Sequence, residues 1–372
     1  MNEKVRPAPV VTICGVAGYN RGDDAIALAM VEGLRARLPA LDARVAMLTL
    51  GAIPAAPGVT PFLAARGKPA GLLALVRAIA AADLVILGGG SIIQDKFGGG
   101  RVKGILGYAW LVARLARLFR RPLVTAPIGV DTVATDHARH VAGELLASAC
   151  AIFVRDARSL ANARAITAGT RAPAPELVCD PAFVLAGAPP APDGPVILSP
   201  AFEDEYDDLV IDIFARTAAE AVERLGRDVV VVSMDSRDDA RVARIVAAVP
   251  AAQRARVDAS YPATLDAALT VLRGGSALIA MRLHAMILSY GTAPIACLSR
   301  TTKTDAFMED YRVPGTTMER DTPAATAALL VAAVADWPQR AEHAAILATR
   351  RAALDRFFDT ALGLLRDRGA RG

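Results

Sequence analysis

An α/β protein of two domains, each a mostly parallel sheet with helices on both faces, is what this sequence predicts. Three observations carry that reading. Short apolar runs of strand length alternate with longer helical patterns along most of the chain, an order that builds parallel sheets covered by helices. The 372 residues exceed what one typical core holds, so two domains are expected. Ala186–Pro195 is proline-rich, lacks periodicity and divides the chain almost in half, which marks it as a linker. The boundaries expected from this are 1–188 and 195–340, with a last helix over 341–372 that crosses back to the first domain.

The elements follow in order. Val10–Cys14 is a buried strand, and Gly15–Asp24 is a glycine-bearing loop ahead of a helix from about Ala25 to Arg37. A strand, a loop and a helix start make a usable anion or hydroxyl site, although the glycines lack dinucleotide or P-loop spacing. Helix capping is the plain alternative for Asp23 and Asp24. Arg44–Leu50 reads as a strand and Leu72–Ala82 as a helix. Asp83–Leu87 is a strand that ends in Gly88-Gly-Gly-Ser-Ile-Ile-Gln-Asp95. Three glycines after a buried strand permit close backbone approach; a tight turn with Asp95 as a cap is the structural alternative. Lys96–Lys103 reads as a mobile loop.

Tyr108–Phe119 is an amphipathic, basic helix followed by Arg120-Arg121-Pro122. Covering a sheet accounts for it, and contact with a membrane surface is the second reading. Leu123–Ile128 and Ala151–Val154 are strands, the latter opening onto Arg155-Asp156 and a helix from about Ala157. Val178–Asp180 and Phe183–Leu185 flank Pro181. Beyond the linker, Val196–Leu198 and Val229–Met234 are strands, and Asp207–Leu225, Val242–Val249 and Thr264–Leu272 are helices. Asp235–Asp239 reads as helix caps rather than metal ligands.

In Ala277–Phe307 the strand-to-helix pattern occurs twice. Ser276–Met281 runs into Arg282-Leu283-His284 and a helix over Ala285–Tyr290 ended by Gly291. Pro294–Leu298 runs into the loop Ser299–Thr304 and a helix from about Asp305. Two parallel strands would bring Arg282, His284 and Lys303 to one carboxyl edge, where open α/β sheets bind ligands. Two cations and an imidazole suit a small, highly anionic substrate and a proton transfer. The alternative is structural: an arginine on carbonyls and a core histidine.

Composition narrows the class. The chain is 53% hydrophobic and 22% charged with net charge +4, as in a soluble globular protein. That charge fits an acidic small molecule or loose attraction to an anionic membrane, and argues against nucleic acid. Cys14, Cys150, Cys179 and Cys297 lie in apolar surroundings without metal spacing, so buried free thiols in a reducing compartment are expected. The first residues lack the apolar core of a signal peptide, and Leu72–Leu87 is broken by Arg77 and Asp83; a cytoplasmic protein is expected. Neither a metal nor a cofactor is implied.

Five pieces in order, Asn20-Arg-Gly-Asp-Asp-Ala25, Gly88–Asp95, Val154-Arg-Asp156 with Ser159, Asp180-Pro-Ala-Phe183, and Met281-Arg-Leu-His284 followed by Pro294 and Lys303, resemble the polysaccharide pyruvyl transferase family. The resemblance spans about residues 10 to 310. It implies two Rossmann-like domains facing each other, similar to GT-B glycosyltransferases. It also implies transfer of a pyruvyl group from phosphoenolpyruvate, as co-substrate, to a sugar or lipid-linked saccharide, usually as a cyclic ketal. The chain departs from the family pattern at Asp24, where glutamate is common, and at Val130-Asp131 and Arg300–Thr302.

On this reading His284 moves the proton, Arg155 joins it as a catalytic residue, and Arg282, Lys303 and Ser299 hold phosphoenolpyruvate. Asn20, Asp23, Gly89, Gly90, Ser91 and Asp95 meet the acceptor from the carboxyl edge of the first domain. A nucleotide-sugar glycosyltransferase of GT-B type and a non-catalytic carbohydrate-binding relative are the competing readings.

Overall fold

A computed structural model describes residues 8–16, 18, 20–49, 57–64, 67–96, 98–101, 104–187 and 191–371. The chain divides into two compact units. The first comprises residues 1–18, 26–184 and 350–372, and the second comprises 19–25 and 185–349.

In the first unit, β1 (Val10–Val16), α1 (Arg21–Arg37), β2 (Asp42–Met47), β3 (Val59–Leu63), α2 (Pro69–Ala81) and β4 (Leu84–Leu87) come first. After them stand β5 (Ser91–Ile93), α3 (Gly104–Leu118), β6 (Leu123–Thr125), β7 (Gly129–Val130), α4 (Asp136–Leu146), β8 (Ile152–Val154), α5 (Ala157–Thr167) and β9 (Pro175–Leu177). The main sheet has the order β3-β2-β1-β4-β6 and is parallel throughout. Small parallel pairs, β5 with β7 and β8 with β9, extend it. The central strands VVTICGV and LVIL are apolar without alternation and buried, because helices cover both faces of a parallel sheet.

The second unit repeats the plan with β10 (Val196–Ser199), α6 (Asp207–Leu225), β11 (Val229–Val232), α7 (Asp239–Ala248), the short α8 (Ala251–Arg254), β12 (Val257–Ser260), α9 (Leu265–Arg273) and β13 (Ala277–Ala280). It continues through α10 (Leu283–Ser289), β14 (Ile295–Ser299), α11 (Thr302–Tyr311), β15 (Gly315–Thr317) and α12 (Pro323–Ala335). Its sheet, β12-β11-β10-β13-β14-β15, is also parallel throughout. The final helix, α13 (Arg340–Arg371), belongs to the second unit up to Thr349 and to the first from Arg350. Phe357 there packs edge-on against Phe153, ring centroids 5.6 Å apart, and Phe358 fills the space that Gly33 leaves open.

Several expectations change. Helix α1 starts at Arg21, four residues before Ala25, because the Asn20 side chain accepts a hydrogen bond from Gly22 N (2.8 Å) and caps it. Asn20, not Asp23 or Asp24, is therefore the cap. Residues 19–25, which follow the carboxyl end of β1 in the chain, group with the second unit. Phe183 falls in a 3-10 turn over Pro181–Val184. Cys14, Cys179 and Cys297 are buried, whereas Cys150 is exposed after α4. Of the glycine-rich loop expected at Lys96–Lys103, Phe97, Val102 and Lys103 lie outside the described residues.

Candidate active site

Each main sheet has one point where strand order reverses, between β1 and β4 in the first unit and between β10 and β13 in the second. The crevice outside the carboxyl ends of the strands at such a point is where ligands bind.

In the first unit that point is occupied by the glycine turn. Gly89 and Gly90 have φ of +144° and +79°, conformations that a side chain disfavours. A Cβ on Gly89 would lie 2.8 Å from the carbonyl oxygen of Gly15, so two chain segments meet there with no room for a side chain. Gly129 N donates to Gly90 O (3.0 Å). Arg155, at the end of β8, donates from Nη2 to Ser91 Oγ (3.1 Å) and from Nη1 to Asp180 Oδ2 (3.3 Å). Its Nε lies 3.5 Å from Asp156 Oδ2, and its side chain is 5% exposed. Asp156 caps α5 by accepting from Ser159 N (2.6 Å), and Ser159 Oγ accepts from Val130 N (2.9 Å). The motif residues of this unit therefore form one knot.

The geometry revises what the sequence suggests here. A buried guanidinium is tolerated when carboxylates and hydrogen bonds compensate it, and Asp156 and Asp180 do so for Arg155. The same fork holds Ser91. Asp95 is similarly engaged, accepting from Ala134 N (2.7 Å).

The second edge is built differently. Met281 N donates to Ser199 O (2.9 Å), which sets the end of β13 beside the end of β10. Arg282 and His284 follow directly, and His284 is the second residue of α10, which begins at Leu283 rather than Ala285. The segment Asn20–Gly22 lies across the neighbouring strand ends. Arg21 N donates to Met234 O (3.0 Å), Asn20 bridges to Asp235, and Arg21 Nε donates to Pro262 O (3.2 Å). Gly22 abuts the imidazole. A Cβ there would come 2.5 Å from Cγ of His284 and closer still to Nδ1. That packing is absent from the sequence reading, and its signal was a glycine in the first turn of a helix.

Arg282 is ion-paired with Asp238, and its Nη1 lies 3.8 Å from Asp235 Oδ2. Arg237 binds Asp235 through Nε (2.9 Å) and Nη2 (2.6 Å). Burial pushes the Asp238 carboxyl above its ordinary range, against the opposing charge of Arg282. Asp235 is also penalised by burial, but hydrogen bonds from the Arg237 side chain and backbone, with the charges of Arg282 and Arg237, hold it below the usual range. The Nε of Arg282 is buried without a hydrogen-bond partner among the described residues. Lys303 is exposed in the first turn of α11. Ser299, expected to touch the donor, is instead buried; its hydroxyl meets Thr304 Oγ1 (2.7 Å) and Asp305 Oδ1 (2.5 Å). It serves the capping network of α11. Among the described residues no three His, Cys, Asp or Glu side chains gather as a metal-binding group.

Two parallel α/β units with ligand-type loops at both reversal points define the class, and solved structures share it along nearly their whole length. Anabaena HepE, in complex with UDP and glucose, is similar at 14% identity over 98% of this chain and 99% of that one, TM-score 0.52. The UDP-GlcNAc 2-epimerase of Neisseria meningitidis, bound to UDP-GlcNAc, is similar at 11% identity over 95% and 100%, TM-score 0.55. The α,α-trehalose 6-phosphate synthase of Burkholderia multivorans is similar at 11% identity over 98% and 99%, TM-score 0.54. The fold is thus GT-B-like, with two Rossmann-like units. Within that class the family described as polysaccharide pyruvyl transferase matches residues 20–293, and the chain belongs to it. No significant match is found among curated proteins.

Proposed function

We propose that this protein transfers a pyruvyl group from phosphoenolpyruvate to a sugar of a cell-surface polysaccharide or its precursor, closing a ketal and releasing phosphate. The observation that carries the reading is the emergence of Arg282 and His284 from one strand end at the reversal point of the second sheet. Lys303 follows in the next strand-to-helix turn. Phosphoenolpyruvate carries a carboxylate and a phosphate, and arginine's planar fork matches both anions. The unpartnered Nε of Arg282 supports a guanidinium with donor capacity to spare.

In this mechanism His284 delivers a proton to the methylene carbon of the donor, leaving C2 electron-poor. A sugar hydroxyl adds to C2 and its proton passes to the imidazole. A second hydroxyl of the same sugar then attacks C2, and phosphate leaves with the electron pair of the broken C–O bond and takes up that hydroxyl's proton. An imidazole suits both directions of transfer near neutral pH. Gly22 keeps the ring in place by closing one side of it. Asn20, Asp23, Gly89, Gly90, Ser91 and Asp95 belong to the acceptor side of the proposal, with Arg155 fixing Ser91.

The test is glycan-dependent release of phosphate from phosphoenolpyruvate, with the mass of the product checked for the added pyruvyl group. Thermal shift adds a second axis, since a ligand selective for the folded state raises the melting temperature. Protection by UDP-sugars and none by phosphoenolpyruvate would move the assignment to a glycosyltransferase. Protection by neither, with no phosphate release, would leave a non-catalytic relative.

A further inference from the structure

Helices α2 and α3 carry a feature that the reaction does not use. Both β3 to β4 and β4 to β6 cross the sheet in the same direction, and right-handed crossovers then place both helices on one face. Their inward sides share one core, which holds Leu75, Ile79, Leu106, Val112 and Ala116. On α2 the outward side carries exposed leucines, and on α3 the exposed residues are Arg114, Arg117 and Leu118. Leu72 and Leu73 are 48% and 49% exposed and Leu118 is 70% exposed, with Leu63 of β3 at 43%. These are four of the six large hydrophobic residues exposed among the described residues. Scattered single leucines are ordinary on a surface; here Leu63, Leu72 and Leu73 fall at the end of β3 and the start of α2, and Leu118 is the last residue of α3.

The charge on these helices has one sign. Neither Pro69–Ala81 nor Gly104–Leu118 contains an aspartate or glutamate. Arg77 stands one turn beyond Leu73, and Arg114 one turn before Leu118. Arg117 and Lys68 are exposed with them. Leucines interleaved with arginines need a partner that accepts apolar side chains and offers negative charge beside them. We propose that the outer face of α2 and α3 docks on an anionic phospholipid bilayer, the leucines entering the headgroup boundary and the arginines meeting lipid phosphates. No helix among the described residues is long and apolar enough to cross a membrane, so the contact is peripheral. In the proposed function it would bring the enzyme to a surface where a lipid-linked saccharide is displayed.

The experiment is co-sedimentation of the full chain with vesicles of phosphatidylcholine alone or mixed with phosphatidylglycerol, without donor or acceptor. Binding to the mixed vesicles should exceed that to neutral ones about tenfold or more and be lost in high salt, as screened surface charge requires. Arg114→Glu with Arg117→Glu, and separately Leu73→Ser with Leu118→Ser, should each lower binding about tenfold with unchanged melting temperature. Arg216→Glu with Arg224→Glu on α6 should leave it unaltered. Absence of wild-type binding, equal binding to both vesicle types, or indifference to the α2 and α3 substitutions would overturn the proposal. So would a stable homodimer in solution that Leu118→Ser dissociates, since the face would then be covered by a second copy. Because no turnover is read, this result is independent of the donor assignment.

Discussion

The two reversal points share a topology and differ in how their cation is held. In the first unit Arg155 is 5% exposed and held by Asp156, Asp180 and Ser91. In the second, Arg282 is 19% exposed, pairs with Asp238, lies 3.8 Å from Asp235 and keeps an Nε without a hydrogen-bond partner among the described residues. One guanidinium is sealed into a scaffold, and the other stands at a strand end beside an imidazole. A strand-end arginine is therefore not a site by position alone. Each has two carboxylates within 4 Å, so what separates the two is burial and the fraction of the fork left over.

Exchanging each region's key side chain for alanine should give opposite phenotypes. His284→Ala should lower kcat about a hundred to ten thousand fold, the usual worth of general acid–base catalysis, while the melting temperature stays put. Arg155→Ala should cost roughly 3–5 kcal/mol of stability, since it strands the Asp180 carboxylate without its buried partner; urea denaturation reads it. An Arg155→Ala protein as stable as its parent, altered only in its affinity for phosphoenolpyruvate, would erase the distinction. Arg282→Ala is expected to raise KM for the donor with a smaller effect on kcat, and an unchanged KM would remove it from the donor site.

A sharper test lies in the contact between Gly22 and His284. Alanine is normally better than glycine within a helix by about 1 kcal/mol, yet at position 22 its Cβ would overlap the imidazole. Gly22→Ala should thus destabilise the protein by about 1–3 kcal/mol through overpacking, and should lower turnover by displacing the ring. In a His284→Ala background the same change should be neutral or stabilising. That reversal is a double-mutant coupling that an isolated backbone effect cannot produce. If the two changes simply add, the glycine is not there for the histidine.

Much of this arrangement was legible in the sequence. The central strands announced themselves as continuous apolar runs, because parallel strands with helices on both sides are buried on both faces. The strands that escaped notice are edges. Val59–Leu63 contains Pro61, Val257–Ser260 contains Asp258, and Gly315–Thr317 is three residues long; an edge strand is half-paired, tolerates proline and charge, and so loses the signal. The position of His284 at a strand end was also readable. That Asp238 would neutralise Arg282 was not, since the two are 44 residues apart and meet only through the fold. Nor was the hook at Asn20–Gly22, whose polar residues read as loop until Met234 O and the Asn20 side chain are seen to receive their backbone donors.

A pH-dependent effect concerns the acid just beyond that hook. Asp24 is fully buried and accepts from Arg21 Nη1 at 3.0 Å, while its Oδ1 has no partner among the described residues. Burial pushes its carboxyl up from 3.8 to about 7; the charge and hydrogen bond of Arg21 oppose the shift, and the neighbouring charge of Asp23 adds to it. A carboxyl raised on folding binds more protons folded than unfolded, so its contribution to stability is complete below about pH 4 and declines as pH rises towards 7. Above that it is constant. Asp24→Asn cannot titrate, so the stability gap between variant and parent should move in the variant's favour between pH 4 and pH 8. The movement should be on the order of 2–4 kcal/mol, the worth of raising this carboxyl from 3.8 to about 7 after some discount. The absolute gap also contains the lost pairing with Arg21, and for that reason its slope against pH is the quantity to read from urea titrations. A gap that stays flat across this range would mean that Asp24 is ionised throughout, with Arg21 fully compensating its burial as Asp180 and Asp156 compensate Arg155.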